Sequence, residues 1–589
     1  MNRANRPRLS RITGSSYASR TMTRSGDGST LALDFTTGVL DPRLTFTRST
    51  NATFINSQGL VQWADANLVT GSELCDPTLY GWSQQLNPGY LFDTSVNDPF
   101  GNPGVPRITS NATSGSSAVN SSSFAVSAGL TYTLTFWVRA GTSTTFLAGI
   151  FDATAGAFVP ASGTILSGPG SISGTGAIAL TSLTSAWTKV RIYLTPANTA
   201  ASRAISFYPQ AAASGGQSNY LWGVQLNIGQ TSNPAYFKTV ATAYQAPRFD
   251  YDPSTLQPRG LLIEASSVNH VLRSNVTGFP SPWSTAGTNL PTVTAGYTGG
   301  GFSPDGITYP TRLQFGVNAG GSASRLLQAT TYATNPTTAN PYTVSVWMKS
   351  NTAGTNYTVN IYGTTGNNLV TVTPTWQRFQ VVNTSGTSLV GYIYISNEST
   401  SIAADISIWG AQLEAGNGAS SLIPTGASTG NRANESLYLD GASFAAFWPS
   451  GQSQYSVYFA GDITRSPATT QFLWLARTGS GGVGASRARS FVTSASSIRA
   501  NTTVNDLVSG LNASTNTLVR TALGVSSGSC ALSTNNGTTS AIVTNADTGL
   551  STDAAQLVFN PNSDVFQHIK TLKYWPTRLS DAQLQALTT

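Results

Sequence analysis

Charged residues are scarce in this sequence. Asp, Glu, Lys and Arg together make up 9% of its 589 residues, whereas an ordinary globular protein has about 25%. The surface must therefore be built from Ser, Thr, Asn, Gln and Gly, which suits a long-lived protein that resists proteases. The net charge of +7 is unevenly placed, because six arginines precede the first acid, Asp27. The remainder is nearly balanced, so we expect no specific nucleic-acid binding.

Cysteine and histidine are rarer still. Cys75 and Cys530 are far apart and lack a metal-ligand spacing, so we expect two free, buried thiols rather than a disulfide framework. The two histidines, His270 and His568, cannot form a His-rich metal site, and neither has a nucleophile motif beside it. No stretch approaches the ~20 apolar residues that cross a bilayer. The basic N-terminus has no apolar run after it, so we expect neither membrane insertion nor a secretory signal.

Acidic residues are too few and too scattered to predict catalysis. Glycoside cleavage needs two carboxylates about 5–10 Å apart, and the neighbouring pair Asp250 and Asp252 is interpreted as turn and ion-pair residues. The glycine run at Gly299 lacks the Lys and Ser/Thr of a phosphate-binding loop. We predict that the protein is not an enzyme and has no cofactor.

Calcium is the one ligand that this pattern leaves open. Scattered Asp side chains and backbone carbonyls can bind it without a motif, so the metal ligands remain unknown. The candidate ligands are Asp152, Asp305, Asp440 and Asp462.

Short alternating runs of apolar and polar residues dominate the chain. Tyr132, Leu134, Phe136 and Val138 share one strand face and Trp137 falls on the other. Turns rich in Gly, Asn and Pro recur about every 8–12 residues, as in sandwiches and jelly rolls. Helical periodicity is nearly absent before the C-terminus, where Ser580 can N-cap a short helix. The sequence therefore predicts an all-β fold.

The chain contains an internal repeat of about 200 residues. Five landmarks recur in one order, which is too few and too large for a solenoid and indicates tandem domains. In the first copy they are NLV at Asn67, WS at Trp82, TYTLTFWVRA at Thr131, AWTK at Ala186 and LWGVQL at Leu221. In the second copy the matching motifs are NHV at Asn269, WS at Trp283, PYTVSVWMKS at Pro341, TWQR at Thr375 and IWGAQL at Ile408.

The stretch between the two copies is a predicted strand, turn and strand. It reads PRFDYDPSTLQPRGLLIE from Pro247 to Glu264, and its charged residues are expected to form local ion pairs that fix the turn. A FTRST strand begins at Phe46, and WGAQLEAG followed by IPT ends the second copy at Thr425. This order of motifs resembles a linker that recurs in tail and appendage proteins of tailed bacteriophages. In such proteins the FTRST meander runs straight into the linker, so we expect the first copy to be an insertion or a duplication.

The resemblance implies a virion protein and a fold for each part. The copies resemble jelly rolls of the carbohydrate-binding-module type, and the strand followed by RLSDAQLQAL at the end resembles a concanavalin A-like (laminin-G-like) sandwich. The predicted organisation is a basic N-terminal docking arm (1–30), a β-meander attachment module (31–66), the first jelly roll (67–243), a strand-turn linker (244–268), the second jelly roll (269–430) and the concanavalin A-like sandwich (431–589).

The implied role is a virion structural protein, a tail fibre, spike or similar appendage for host attachment. Its partners would be portal, tail or capsid proteins, with host surface glycans as candidate receptors and a homo-oligomer expected. The first alternative is a capsid decoration or head-fibre protein, and a polysaccharide depolymerase is the second.

Two groups of residues are predicted to carry these contacts. The arm is interpreted as docking on an acidic partner surface, the alternative being a solvated tail, through Arg3, Arg6, Arg8, Arg11, Arg20 and Arg24. Glycan stacking needs exposed aromatic rings in polar segments, although core packing competes for any single Trp. The glycan candidates are Trp82, Tyr90, Trp283, Trp448 and Trp474. The tryptophans matched between the repeats are assigned instead to cores or domain seams.

Overall fold

The computed structural model describes residues 26–111, 117–209, 215–276, 279, 281–318, 323–331, 336–362, 368–384, 390–449, 451–452, 454–465, 470–478, 486–502, 506–537, 540–545, 554–560 and 565–589. The six arginines of the predicted docking arm lie outside this part of the chain. Within it, the fold is all-β, as predicted, and three apolar cores define three antiparallel sandwiches. Among the described residues, no helix has the length and hydropathy to cross a membrane.

The chain begins with a meander of short strands. They are β1 (Leu31–Asp34), β2 (Thr45–Thr47), β3 (Thr53–Ile55), β4 (Val61–Trp63) and β5 (Ala66–Asn67), with a 3-10 turn at Phe35–Thr37.

The first sandwich follows, and most of its strands form two six-stranded sheets, while the other four form two separate pairs. Its strands are β6 (Ser83–Gln85), β7 (Gly89–Asn97), β8 (Pro103–Thr109), β9 (Ala118–Asn120), β10 (Phe124–Val126), β11 (Tyr132–Ala140), β12 (Phe146–Gly149), β13 (Phe151–Asp152), β14 (Ala157–Phe158), β15 (Ala161–Ser167), β16 (Ser171–Ser173), β17 (Ile178–Thr181), β18 (Thr188–Leu194), β19 (Ala200–Arg203), β20 (Ser206–Tyr208) and β21 (Ser218–Ile228). The sheets run β15-β18-β11-β21-β8-β7 and β16-β17-β12-β20-β9-β6. The predicted inward face of β11 lies in the core between them.

The linker and the second sandwich come next. Their strands are β22 (Tyr244–Gln245), β23 (Arg248–Tyr251), β24 (Pro258–Glu264), β25 (Ser267–Asn269), β26 (Ser284–Ala286), β27 (Thr292–Thr294), β28 (Thr311–Phe315), β29 (Ser324–Thr331), β30 (Tyr342–Ser350), β31 (Tyr357–Tyr362), β32 (Leu369–Val372), β33 (Gln377–Asn383), β34 (Val390–Asn397) and β35 (Ala404–Ala415), with a 3-10 turn at Thr298–Gly300. The sheets of the second sandwich run β27-β28-β35-β30-β33 and β26-β29-β34-β31-β32.

The terminal sandwich completes the chain. Its elements are β36 (Gly430–Arg432), β37 (Ser436–Asp440), α1 (Gly441–Ala445), β38 (Gln454–Ile463), β39 (Gln471–Arg477), β40 (Ser486–Val492), β41 (Ser497–Thr502), β42 (Asp506–Asn512), β43 (Val519–Ser526), β44 (Ser529–Asn535), β45 (Ser540–Asn545), β46 (Gln556–Val558), β47 (Phe566–Trp575) and α2 (Asp581–Thr588). As predicted, Ser580 caps α2, in a reciprocal capping box with Gln583. Leu584 packs this helix against β43 and β44.

The meander and the linker hairpin both supply strands to the terminal sandwich. One of its sheets runs β23-β24-β47-β38-β43-β44-β45, and the other runs β2-β37-β46-β39-β40-β41-β42. On β47, the β1 strand pairs with residues 571–574 and β24 pairs with residues 566–569. The first strand of the chain and the linker therefore lie end to end along one edge of the last strand.

Hydrogen bonds at equivalent positions confirm the internal repeat. The Asn67 side chain donates to the carbonyls of Val224 and Phe237. The Asn269 side chain donates in the same way to Ala411 and Ile423. Each asparagine also closes the edge of its sandwich, because β5 pairs with β22 and β25 pairs with β36.

Both cysteines are buried thiols rather than half-cystines, as predicted. Cys75 lies in the first core and Cys530 in the terminal core. Burial raises the pKa of the Cys75 thiol, which makes it unreactive.

Candidate functional site

The rare charged residues meet where the linker hairpin, the second sandwich and the terminal sandwich join. We call this set the junction network: Arg48, Arg248, Glu264, Glu414, Arg432, Glu435 and Arg465. Every one of these residues is buried. Burying charges is costly unless each is paired and hydrogen-bonded, so the contacts of each member matter.

Glu435 and Glu264 lie at the centre of the junction network. Glu435 Oε1 accepts from Arg48 Nη1 at 2.7 Å and from Arg248 Nε at 2.9 Å. Glu264 pairs with Arg248 at 2.8 Å and with Arg432 at 3.3 Å. Burial alone would raise the pKa of the Glu264 carboxyl, but the Arg432 and Arg248 guanidinium groups hold it well below its usual range. The Glu264 carboxylate therefore stays ionised between buried cations.

The second sandwich enters the junction network through Glu414. Its carboxylate accepts from Arg465 Nη2 at 2.6 Å and from Ser267 Oγ at 2.6 Å. Ser420 Oγ accepts from Arg432 and donates to Glu414, which joins this pair to the rest. Strands distant in the sequence are thus fixed to one another by charge-assisted hydrogen bonds, which are about twice as strong as neutral ones.

This arrangement corrects the expectation of local ion pairs in the linker. Arg248 and Glu264 do pair with each other, but they also pair with Glu435 and Arg432, far along the chain. The Asp252 carboxylate accepts from the backbone N–H groups of its own turn, at Ser254 and Thr255, rather than from a linker arginine. The physical reason is that the hairpin is an edge of the terminal sandwich and its side chains project into the junction.

His568 is held between two carboxylates beside the junction network. Nε2 lies 2.8 Å from Asp250 Oδ2, and Nδ1 lies 2.8 Å from Asp462 Oδ1. Two carboxylate neighbours favour the protonated ring, in which both nitrogens donate. Burial opposes the charge, but Asp462 leads the interactions that raise the pKa of His568. Arg259 also pairs with Asp462 at 3.1 Å. With both nitrogens occupied, this histidine is unsuited to act as a catalytic base.

A cavity of about 280 Å³ lies at the same junction. Its walls come from the meander, the linker hairpin, the second sandwich and the terminal sandwich, and they include Phe54, Tyr251, Trp347, Arg378, Ala419 and His568. Exposed Gln380, Pro253 and Asn516 also line it, so it opens to solvent. We call it the junction cavity.

The predicted glycan candidates do not come together, and four of them are core residues. Trp82, Trp283, Trp448 and Trp474 expose 4% or less of their surface. The indole N–H of Trp82 donates to Thr70 and that of Trp283 to Arg273. Their ring faces are therefore covered by protein.

The fifth glycan candidate, Tyr90, is half-buried and lies on the edge strand β7. Its hydroxyl donates to the Leu74 carbonyl at 2.8 Å. It packs against the first core.

The tryptophans matched between the repeats pack in two apolar clusters, as expected for core or seam residues. Trp137 and Trp222 pack edge to face 5.4 Å apart, with Trp187 beside them. Their counterparts Trp347 and Trp409 pack against Val61 of the meander.

Three of the calcium candidates are engaged by protein groups. Asp152 pairs with Arg203 at 2.6 Å, Asp462 binds His568, and Asp305 accepts from the backbone of its own turn. Asp440 is exposed. Within the described residues, no group of three or more His, Cys, Asp or Glu side chains is placed to hold a metal ion.

Sequence reasoning missed the partners that complete the junction. Arg432, Glu435 and Arg465 were assigned no role, and the pairing of His568 with Asp250 and Asp462 was not foreseen. Arg48 and Glu414 do lie in the FTRST and WGAQLEAG motifs. The feature of the sequence that could have indicated the junction is the scarcity of charged residues, because several of the few that are present lie in those motifs.

No family model matches the sequence, and no curated protein matches it. Solved structures similar to parts of the chain include an arabinose-bound MgGH51 α-L-arabinofuranosidase, at 14% identity and a TM-score of 0.22, covering 31% of this chain and 27% of that one. The CBM40 module of a Ruminococcus gnavus IT-sialidase, bound to α2,3-sialyllactose, is similar at 16% identity and a TM-score of 0.20, over 23% of this chain and 83% of the module.

The tandem CBM22 modules of Paenibacillus barcinonensis Xyn10C match at 10% identity and a TM-score of 0.20, over 59% of this chain and 97% of theirs. The chain is thus an all-β protein of several antiparallel sandwiches that distantly resemble carbohydrate-binding modules. At these scores the likenesses carry no argument about ligand or role.

Proposed function

We propose that this protein is a structural protein of a tailed-bacteriophage virion, placed in a tail fibre, spike or similar appendage. One observation carries the proposal: the motifs that resemble phage appendage linkers, FTRST, PRFDYDP, PRGLLIE and WGAQLEAG, contribute Arg48, Arg248, Glu264 and Glu414 to the junction network. These residues join the second sandwich to the terminal sandwich through buried ion pairs, which supports a mechanical role for the motifs. A particle component that transmits force needs such joints.

The proposal includes docking, assembly and receptor binding. The basic arm would dock on a portal, tail or capsid protein, and the sandwiches would project outward as a homo-oligomer. Host surface glycans are the proposed ligands, and no catalytic step is proposed. The contacts of His568 agree with a non-enzymatic role, because both its ring nitrogens are committed to carboxylates.

Capsid decoration is the second candidate. Within the described residues the longest helix, α2, has 8 residues, so this part of the chain contains no coiled-coil stalk of the kind that trimerises many fibres. A globular decoration protein needs no stalk.

Antibody labelling of intact particles in the electron microscope tests the proposal. An antibody against the terminal sandwich is expected to label the tail or its fibres. Label over the head would establish the decoration role instead. Particles without label, with the chain recovered free in the lysate, would overturn a virion role.

A further inference from the structure

The outer strand of the first sandwich, β7, is an open sheet edge. It ends the sheet β15-β18-β11-β21-β8-β7, and with 9 residues it is the longest edge strand in the described part of the chain. An edge strand offers backbone N–H and C=O groups to any chain that lies beside it, so folded proteins shorten their edges or place lysine or proline in them. The β7 sequence, GYLFDTSVN, contains neither residue.

The residues that β7 exposes include two large apolar side chains. Leu91 is 48% exposed and Phe92 is 40% exposed. Because strand side chains alternate between the faces of a sheet, one of them stands on each face. Tyr90, which packs against the first core, marks the face of Phe92. Asp93, which accepts from the Tyr220 hydroxyl at 2.9 Å, marks the face of Leu91. A strand beside β7 would therefore find an apolar contact on both faces.

Two comparable edges of the sandwiches lack this feature. The strand at the opposite end of the same sheet, β15, exposes only Ser162, Thr164 and Ser167. The counterpart of β7 in the second sandwich is β27, which ends the equivalent sheet and has 3 residues, of which Thr292 and Thr294 are exposed. The same fold thus shortens this edge in one copy and leaves it long and apolar in the other, which indicates that β7 has a partner.

The part of β7 that a partner can follow is short and regular. Gly89 to Asp93 pair residue by residue with Thr109 to Val105 of β8, and the register shifts before Asn97. A bulge of this kind bends the strand and interrupts pairing. The straight outer edge is therefore the segment GYLFD.

This segment is complementary to a second copy of itself. In an antiparallel pair about a two-fold axis at Leu91, the two leucines face each other. Tyr90 of each copy then faces Phe92 of the other, and Asp93 faces Gly89. Cross-strand aromatic pairs stabilise a sheet, whereas like charges directly opposite destabilise it. This register has the aromatic pairs and no facing charges.

We propose that two copies of this chain associate edge to edge through β7, so that their first sandwiches share one continuous sheet. The proposal rests on the homo-oligomer in the proposed function and names its interface. The self-complementary register favours a second copy over an unrelated peptide. Within its described residues the first sandwich contributes nothing to the junction network, which leaves it free for this contact.

Disulfide trapping of the full-length chain tests the register. Leu91→Cys places two thiols opposite each other at the axis, where facing Cα atoms are about 4.5–5.5 Å apart, and a disulfide spans about 4.4–6.8 Å. Cys75 and Cys530 are buried and should not compete. Mild oxidation is therefore expected to convert most of this variant to a covalent dimer.

The matched control is Ser95→Cys, at another exposed residue of β7. In this register its two thiols lie about eight residues apart along the pair, which is more than about 20 Å at about 3.4 Å per residue. This variant should give no covalent dimer.

Sedimentation of the unaltered chain and of two lysine variants tests the association itself. The unaltered chain is expected to sediment as a dimer at micromolar concentration. Leu91→Lys puts like charges at the axis and acts twice in a two-fold interface, so it is expected to raise the Kd at least about thirty-fold. Leu290→Lys, the same change at a leucine of the second sandwich that is 60% exposed, should leave the dimer intact. Calorimetric melting checks that both variants fold like the unaltered chain.

The outcomes separate this interface from other associations. A chain that sediments as a monomer at every concentration would overturn the proposal, and so would a Leu91→Cys variant that gives no covalent dimer. A dimer that survives Leu91→Lys would place the homo-oligomer on another surface. Equal trapping of Ser95→Cys and Leu91→Cys would rule out the register. The antibody experiment on particles is independent of all these results, so a failure of this proposal and a failure of the virion role are distinguishable.

Discussion

At the residue scale, Glu435 differs from a carboxylate in a surface ion pair, because it is buried and has several charged and polar partners. Its carboxylate pairs with Arg48 and Arg248, and the backbone N–H of Glu264 donates to it at 2.9 Å. Removing one member of a buried ion group leaves its partners charged and unsolvated. The arginines would then lose more than a single contact.

We therefore expect Glu435→Gln to lower the free energy of unfolding of the terminal sandwich by about 3–5 kcal/mol. Urea denaturation followed by Trp fluorescence measures it. The matched control is Asp506→Asn, which breaks the partly exposed pair with Arg499 at 2.9 Å and should cost less than about 1 kcal/mol. Similar costs for the two variants would show that the junction network does not stabilise the fold.

His568 makes stability depend on pH in a predictable direction. Its pKa is raised above the usual 6.5 by Asp462 and Asp250, against burial and Arg259. A raised pKa means that the folded state holds the proton more tightly, so the stabilisation is complete below about pH 6.5 and is lost as pH rises through the folded-state pKa. The melting temperature is expected to fall from about pH 6 to about pH 9.

The other histidine provides the control for this prediction. Burial lowers the pKa of His270, so its contribution has the opposite sign and favours the folded state at higher pH. His568→Gln should flatten the pH dependence, whereas His270→Gln should keep or steepen it. A decline of unchanged size in His568→Gln would assign the effect to another group.

The tryptophans show what sequence could not resolve at this scale. Trp82 and Trp283 stand in polar segments and were therefore candidates for glycan stacking, with core packing as the competing interpretation. In the structure a backbone carbonyl accepts each indole N–H, which lets the ring enter the core without an unpaired donor. The accepting carbonyls of Thr70 and Arg273 belong to the backbone, so the residue types around a Trp do not reveal them.

At the element scale, the strands were predictable and their sheets were not. Alternation is a local property, so the inward face of β11 could be predicted from residues Tyr132 to Val138 alone. Pairing is long-range, and β24 pairs with β47 about 300 residues away. The local sequence of the hairpin does not identify β47 as its partner strand. The hairpin was therefore expected to be a separate linker.

The bulge that interrupts β21 opposite β11 is another feature of this scale. Gly223 has φ +64°, and a Cβ there would lie 2.8 Å from the Trp137 ring. The bulge turns the Val224 N–H toward Ser72, which accepts it at 2.9 Å. The second copy repeats it at Gly410, with φ +64°.

We expect Gly223→Ala to destabilise the first sandwich by about 2–5 kcal/mol, the sum of about 1–2 for left-handed backbone and about 1–3 for overpacking. Gly156 is the matched control, since its φ is +63° and nothing lies within 4 Å of its added Cβ. Gly156→Ala should cost only the backbone part. Calorimetric melting of each variant measures the difference, and equal shifts would mean that the Trp137 contact is not tight.

At the scale of the whole molecule, the two jelly rolls are built alike but attached differently. Each is bounded by a short antiparallel pair, Asn67 with Tyr244 in one and Asn269 with Gly430 in the other. The second sandwich supplies Glu414 to the junction network and a wall to the junction cavity. Within its described residues the first sandwich supplies neither, so it is the more independent unit.

This difference predicts the result of two excisions. Because Asn67 and Tyr244 are paired neighbours, replacing residues 68–243 by a two-residue Asn-Gly turn, which suits a tight hairpin, should leave the junction and the terminal sandwich folded. The excision removes peripheral interactions, such as the hydrogen bond from the Ala427 N–H to the Ala128 carbonyl and the packing of Trp63 against Gly229. Replacing residues 270–429 in the same way removes Glu414, the carboxylate partner of Arg465, together with the backbone at Ala415 and Gly416 that covers that guanidinium.

Calorimetry and limited proteolysis of both shortened chains distinguish the two attachments. The chain without residues 68–243 should keep a cooperative transition for the terminal sandwich close to that of the full chain. The chain without residues 270–429 should melt at a markedly lower temperature or fail to fold, since the junction network loses Glu414 and the Ser421 hydroxyl that bonds Arg248 and Glu264. If both chains behave alike, the junction network is not what joins the second sandwich to the end of the chain. The attachment of the second sandwich would then have to come from apolar packing, such as that of Val61 against Trp347 and Trp409. The Val61→Ala variant would test that packing.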